Sequence, residues 1–144
     1  MKLRHLLPAL IAWSALPFAA GAQSSDADGA RLSLELNAAQ DVGQACRLSF
    51  LITNETGRAI DKAVFETVIF DTQGSVIKLS LFDFRDLPQD RPRVRQFDLP
   101  DRPCATVGRV LINGASSCVT GGSESDLCNS TLSVTSRLEM ELLG

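Results

Sequence analysis

The feature that most constrains the fold of this chain is a repeated alternation of apolar and polar residues. Leu32, Leu34 and Leu36 alternate with polar residues, and the pattern recurs over 46–52. A period of two is expected of half-buried strands, because successive side chains of a strand point to opposite faces of its sheet. No segment after Ala22 has the 3.6-residue period of an amphipathic helix. The chain is therefore predicted to be all-β.

Turn sequences and prolines divide the remaining chain into short segments. Asn, Asp and Gly cluster at 54–57 and 71–74, prolines interrupt 86–92, and 114–129 has the composition of a loop. The further predicted strands span 63–70, 75–82, 93–99, 108–113 and 132–142, the last being the longest alternation. About seven short strands separated by turns are typical of an immunoglobulin-like antiparallel β-sandwich. Because tyrosine is absent and the one tryptophan is Trp13, the antibody hallmarks are missing.

The N-terminus has the three parts of a secretory signal peptide. Lys2 and Arg4 precede an apolar run over 6–20, and small residues follow at 20–22. The run contains two prolines and is shorter than the roughly 20 apolar residues of a membrane span. We therefore expect a periplasmic or secreted protein. The predicted segments are a signal peptide over 1–22, a flexible arm over 23–30 and a β-sandwich domain over 31–144.

The charge balance argues against a nucleic-acid partner. The chain has 14 basic and 17 acidic residues, and the predicted signal peptide holds two of the basic ones. After cleavage, 12 basic against 17 acidic residues leave a net charge of −5. Net negative charge disfavours nucleic acids and anionic membranes. We expect neither as a partner, and no membrane span in the cleaved protein.

Four cysteines lie after the predicted cleavage site, at Cys46, Cys104, Cys118 and Cys128. An even number of cysteines in an exported chain indicates disulfides, here two, and four cysteines allow three pairings. We favour Cys118 with Cys128, because the segment between them has the composition of a loop, which leaves Cys46 with Cys104. A zinc site would need closely spaced cysteines or a histidine, and the cleaved chain has neither.

The residue types exclude the common catalytic constellations. The only histidine, His5, lies in the predicted signal peptide, so the usual base for a serine or cysteine nucleophile is missing. Two pairs of carboxylates lie close together in the sequence, Asp83 with Asp86 and Asp98 with Asp101. Such pairs occur in hydrolases and in calcium sites, but they are also found as ordinary surface charge. We therefore expect no catalytic residue, cofactor or metal site.

The chain resembles a group of small, uncharacterised exported proteins of Gram-negative bacteria, often labelled as Tat-signal domain proteins. The resemblance rests on the segments 54–57, 70–74, 81–88, 95–100 and 108–114. It implies an immunoglobulin-like β-sandwich in the periplasm and brings no activity with it. The chain departs from the label because Leu3 separates Lys2 from Arg4, so that no twin-arginine pair is present.

Arginine is concentrated in the segment 85–109, which has six arginines against four aspartates. Arg93 and Arg95 share one face of a predicted strand between two prolines, which is typical of an edge strand. Their guanidinium groups could bind carboxylates of a partner, or pair within the domain with Glu139 and Glu141.

Our functional hypothesis is a non-enzymatic interaction module that binds another exported protein through loops or an edge strand. The alternative is a small-ligand-binding protein or hydrolase that uses carboxylate and arginine side chains. The two differ in the site they require, since the alternative needs a concave pocket and the module needs only a patch or an edge.

Overall fold

The computed structural model describes residues 29–144, so the predicted signal peptide and most of the predicted arm lie outside the described residues. This part of the chain forms nine strands, a 3-10 turn over Cys104–Thr106 and a one-turn helix, α1, over Leu127–Ser130. The strands are β1 Arg31–Val42, β2 Ala45–Glu55, β3 Ile60–Asp71, β4 Val76–Leu87, β5 Arg93–Leu99, β6 Val107–Thr120, β7 Ser123–Glu124, β8 Leu132–Ser136 and β9 Glu141–Leu143.

The strands form two sheets that pack face to face. Sheet A has the order β5-β2-β1-β8, and sheet B has the order β4-β3-β6-β7, with β9 also paired to β6. The predicted all-β sandwich is confirmed. The expected count of seven strands is wrong, since residues 29–144 contain nine, and the pairs β1–β8 and β6–β9 are parallel rather than antiparallel.

The core lies between the sheets and takes buried side chains from both of them, and sheet A supplies its share mainly through the alternating residues of β1 and β2. Leu32, Leu34 and Leu36 of β1 are fully buried. Leu34, Leu48, Phe50 and Ile52 are all fully buried, whereas Val134 and Met140 near the C-terminus are only partly buried and pack against the core. Burial of the apolar side chains that point inward from each strand is the main stabilising contribution in such a sandwich.

A cluster of phenylalanines joins the two sheets at one side. Phe50 of β2 makes edge-to-face contacts with Phe82, Phe84 and Phe97, with ring centroids 6.0, 5.6 and 5.9 Å away. Phe82 of β4 stacks on Phe97 of β5 with centroids 4.1 Å apart. Since β4 belongs to sheet B and β5 to sheet A, this cluster holds the two edge strands one above the other.

The segment expected to be a loop over 114–129 is largely strand. β6 continues to Thr120, and its register with β3 shifts on either side of Gly114. Gly114 has a φ of 145°, so it accommodates a β-bulge rather than a turn. The small and polar residues that follow Gly114 are typical of a loop, but as far as Thr120 they belong to a strand.

The long C-terminal alternation is two strands and not one. Ser136, which interrupts the alternation, receives a hydrogen bond on its Oγ from the Leu138 amide (3.1 Å) and donates one to the Met140 carbonyl (2.6 Å). These bonds end β8 and let the chain cross from sheet A to sheet B, where β9 pairs with β6.

β4 extends beyond the predicted end at residue 82. The Asp83 carboxylate accepts a hydrogen bond from the Arg85 amide (2.8 Å), and Arg85 has a φ of 62°. The resulting bulge keeps the strand paired as far as Leu87, which is buried, and Pro88 follows the strand. Residues 83–87, beyond the predicted end, therefore belong to an irregular, bulged part of the strand.

The predicted disulfide pairing is confirmed. Cys46 of β2 is bonded to Cys104 in the 3-10 turn, and Cys118 of β6 to Cys128 in α1, with Cα atoms 4.7 and 5.9 Å apart. In the loop-entropy model, closures of these lengths contribute about 4 and 3 kcal/mol. Paired disulfides indicate an oxidising, extracytoplasmic environment.

Replacing Phe50 with alanine should lower the free energy of unfolding by about 3–5 kcal/mol, because it removes a fully buried ring that contacts three other rings. Urea unfolding followed by circular dichroism measures this loss. Val94→Ala, at an exposed position of β5, is the matched control and should leave the stability nearly unchanged. A loss below about 1 kcal/mol in Phe50→Ala would contradict the placement of this ring in the core.

Candidate functional site

The candidate site is the side of the sandwich where the edges of β4 and β5 lie together. Among the described strands, β4 pairs only with β3 and β5 only with β2, so each leaves one edge unpaired. The Phe82–Phe97 stack brings the two edges together. We call this region the open side.

The two arginines singled out by the sequence lie on β5, which is an edge strand as predicted. Arg93 lies opposite Ile52 of β2 and Arg95 opposite Phe50, so both belong to the inward-facing parity of the sheet. They therefore share one face, as expected, and this face is directed toward β4 rather than toward solvent. Inward-pointing charges of this kind protect an edge strand from unwanted pairing.

Arg95 connects the two sheets. Its Nε donates a hydrogen bond to the Phe84 carbonyl (2.7 Å) and its Nη2 donates to the Asp86 carbonyl (3.2 Å). Its Nη2 also lies 3.8 Å from the Asp86 carboxylate, and the side chain is only 17% exposed. The guanidinium thus occupies the backbone acceptors at one end of the β4 edge.

Arg93 makes a smaller set of contacts. Its Nη1 donates to the Pro92 carbonyl (3.2 Å). The alternative pairing of Arg93 and Arg95 with Glu139 and Glu141 is wrong: no ion pair within residues 29–144 joins them, and Glu141 lies 3.7 Å from Arg109 instead. β9 carries Glu141 into sheet B, away from β5. The role of Arg93 in binding a partner stays a prediction.

The polar side chains on the outward face of β5 make contacts to β2. Arg47 donates two hydrogen bonds to the Asp98 carboxylate, at 2.7 and 2.8 Å, and Gln96 donates one to the Ser49 hydroxyl (2.9 Å). The hydrogen bonds from Arg47, together with its charge, lower the pKa of Asp98 below its usual range. The β5 edge is therefore short, bounded by prolines and lined with charge.

The β6 edge of sheet B is covered as well. β9 pairs with one end of β6 and β7 with the other. Between them, Asn129 Oδ1 accepts the Ala115 amide (2.7 Å) and Glu124 accepts the Cys118 amide (3.0 Å). Hydrogen bonds from Cys118 and Ser117 lower the pKa of Glu124. The Cys118–Cys128 disulfide fixes the helix that carries Asn129 in place.

The β4 edge has no comparable protection within the described part of the chain. Its side chains on the outer face of sheet B are exposed and apolar: Val76 is 60% exposed, Leu79 59% and Leu81 62%. β4 has 12 residues, against seven in β5 and five in β8, the other edge strand of sheet A. It is thus the longest unpaired edge that the structure describes, and it carries apolar side chains on both faces.

The sequence prediction of the site missed this strand. Its signal was present, since Leu79 and Leu81 fall on one parity while Phe82 and Phe84 fall on the other. A strand of a two-layer sandwich buries only one of its two faces in the core. If both faces carry apolar side chains, the outer ones must be exposed.

The exposed leucines continue into an apolar row across sheet B. Leu79 lies opposite Val68 of β3, Val68 opposite Leu111 of β6, and Leu111 opposite Leu143 of β9. We call these four residues the apolar row. Val68 is almost fully buried by its neighbours, although it faces outward. The row gives the outer face beside the β4 edge an apolar character that a solvated sheet face normally lacks.

The concave features of the open side are shallow. A depression of about 530 Å³ lies between the edges and is lined by Arg47, Ser80, Leu81, Phe82, Gln96, Phe97 and Asp98. Of the predicted carboxylate pairs, Asp83 is engaged by the Arg85 amide and Asp98 by Arg47. Within residues 29–144, no three His, Cys, Asp or Glu side chains come close enough together to hold a metal ion.

The α-helix within residues 29–144 has four residues and is far too short to span a membrane. Comparisons of the chain with protein-family models, with curated proteins and with solved structures give no match.

Replacing Arg95 with glutamine should lower the free energy of unfolding by about 1–3 kcal/mol, since the charged donor of two backbone carbonyls of β4 is lost. The matched variant Arg93→Gln should change the stability by less than about 0.5 kcal/mol, because its guanidinium reaches only a neighbouring carbonyl. Denaturant unfolding of the two variants measures the difference. Equal losses in both would contradict the cross-sheet role of Arg95.

Proposed function

We propose that this protein is a non-enzymatic interaction module, periplasmic or secreted, that binds an extended segment of another exported protein as an additional strand on β4. The observation that carries the proposal is the unpaired β4 edge over 76–82, with three exposed apolar side chains beside it. Export is supported by the signal-peptide pattern at the N-terminus and by the two disulfides.

Strand addition suits the chemistry of this edge. An unpaired edge offers a row of amide and carbonyl groups to an incoming strand, and these main-chain hydrogen bonds supply affinity. The alternate side chains of the incoming strand supply specificity. Here Leu79 and Leu81 favour apolar residues on the outer face, and their contact with the incoming strand removes exposed apolar surface from water.

The other edges favour β4 as the binding strand. The β5 edge is bounded by Pro92 and Pro100 and carries inward arginines, while the β6 edge is occupied by β7, β9 and two side chains. Arg95 occupies the carbonyls of Phe84 and Asp86, which limits the available part of β4 to its first seven residues. In this proposal the guanidinium of Arg93, at the first position of β5, binds a carboxylate of the partner.

The experiment is co-purification from a periplasmic extract with three forms of the domain: wild type, Leu81→Lys and Val94→Lys. A lysine at position 81 places a charge on the β4 edge and should abolish capture, because edge charges oppose strand addition. Val94 is about as exposed as Leu81 but lies on β5, so Val94→Lys should capture the same proteins as wild type.

Thermal unfolding should show that both variants fold, since exposed positions contribute little to stability. Undiminished capture by Leu81→Lys would overturn the proposal for β4. Loss of capture in Val94→Lys alone would assign binding to β5 instead.

A further inference from the structure

We infer that the strand added to β4 is β4 of a second copy of this chain, so that two molecules form a two-fold symmetric dimer with one continuous sheet. This inference rests on the proposed function and names the partner of the same edge. A dimer of this type uses the same patch on both molecules, so the patch must be complementary to itself.

The pairing geometry of β4 defines where such a contact can form. Register shifts between β3 and β4 occur next to Ile69 and next to Val64, and the pairing between them is regular. The regular stretch of β4 therefore runs from Lys78 to Asp83. Because bulges interrupt a ladder and bend the strand, this stretch is the part of β4 that is straight enough to accept another strand.

The side chains of this stretch are self-complementary about Ser80. If the two-fold axis passes at Ser80, antiparallel pairing places Leu79 of each molecule opposite Leu81 of the other. The two symmetric Leu79–Leu81 pairs then lie on either side of the Ser80 pair. Four leucine side chains, each about three-fifths exposed in the single chain, then contact each other on the outer face. Moving the axis to Leu81 would place Leu79 opposite Asp83, a carboxylate against an apolar side chain.

The charges of the stretch also permit this register. Lys78 of one molecule lies opposite Phe82 of the other on the inner face, so no like charges meet. The apolar stem of Lys78 can pack beside this position while its ammonium group stays in water. A register centred on Lys78 would instead place two lysines opposite each other, which is destabilising.

The apolar row extends the contact on both sides. Leu79 ends the row formed with Val68, Leu111 and Leu143. In the dimer, each row meets Leu81 of the second molecule, so the two rows join into one apolar band across the shared sheet. The four central leucines are the part of the band that the contact removes from water.

The test is the molar mass of the mature domain in solution, measured by light scattering over a range of concentrations. Wild type should approach twice the mass of one chain as its concentration rises, Leu81→Lys should remain monomeric, and Val94→Lys should behave as wild type. Leu79→Lys is a second variant at the same contact, should Leu81→Lys fail to fold. A wild type that is monomeric at every concentration overturns the inference, as does a dimer that persists in both β4 variants.

The two proposals can fail separately. A monomeric wild type whose captured proteins are lost in Leu81→Lys overturns the second copy as the partner and leaves strand addition to β4 standing. A wild-type dimer that is lost in Leu81→Lys, while that variant still captures the same proteins as wild type, supports the dimer and overturns β4 as the site for other proteins.

The register is tested by Ser80→Cys. Paired residues of antiparallel strands have Cα atoms about 4.5–5.5 Å apart, which lies within the range that a disulfide spans. Ser80→Cys should therefore form a covalent dimer on mild oxidation, seen on a non-reducing gel. Val94→Cys, exposed on β5, is the control and should not. A dimer by mass in which Ser80→Cys fails to cross-link would overturn the axis at Ser80.

Discussion

The contact of Phe50 with the phenylalanines of β4 and β5 is the interaction on which the rest of this structure depends. The ring is fully buried and lies within 6.0 Å of three other ring centroids, one on each of Phe82, Phe84 and Phe97. Because those rings belong to edge strands of different sheets, their packing fixes how the sheets are stacked. It also places the two unpaired edges together and brings Arg95 within reach of the β4 carbonyls.

A two-layer sandwich has sheet edges that must be protected from pairing with other chains. In this protein the edges are protected to different degrees. β5 is short, bounded by prolines and backed by inward arginines, and β6 is covered by strands and by Asn129 and Glu124. The second disulfide holds the helix that carries Asn129. Over its first seven residues, β4 has no such cover within residues 29–144. That contrast is why the proposed binding is assigned to β4.

The sequence predicted those features that depend on local alternation. The buried parity of β1 and β2, the bounds of β5 and the disulfide pairing are confirmed, since each follows from period, proline positions or a short loop. The sequence predictions were wrong where a tertiary contact, rather than the local pattern of residues, determines the structure. Gly114 lies in a β-bulge rather than in a turn, and the hydrogen bonds of Ser136 end β8, after which the chain crosses to the other sheet. The contacts of Arg95 and the exposure of Leu81 depend on which strands lie at the edges, which alternation does not encode.

The central claim is that the β4 edge accepts an added strand, which we infer to be β4 of a second copy, and amide hydrogen exchange over 76–87 tests that pairing most directly. The comparison is between wild type, at a concentration where it is assembled, and Leu81→Lys. The account predicts that alternate amides over 78–82 exchange slowly in wild type and rapidly in Leu81→Lys, while the amides of β3 stay protected in both. Equal exchange over 78–82 in the two proteins would contradict it.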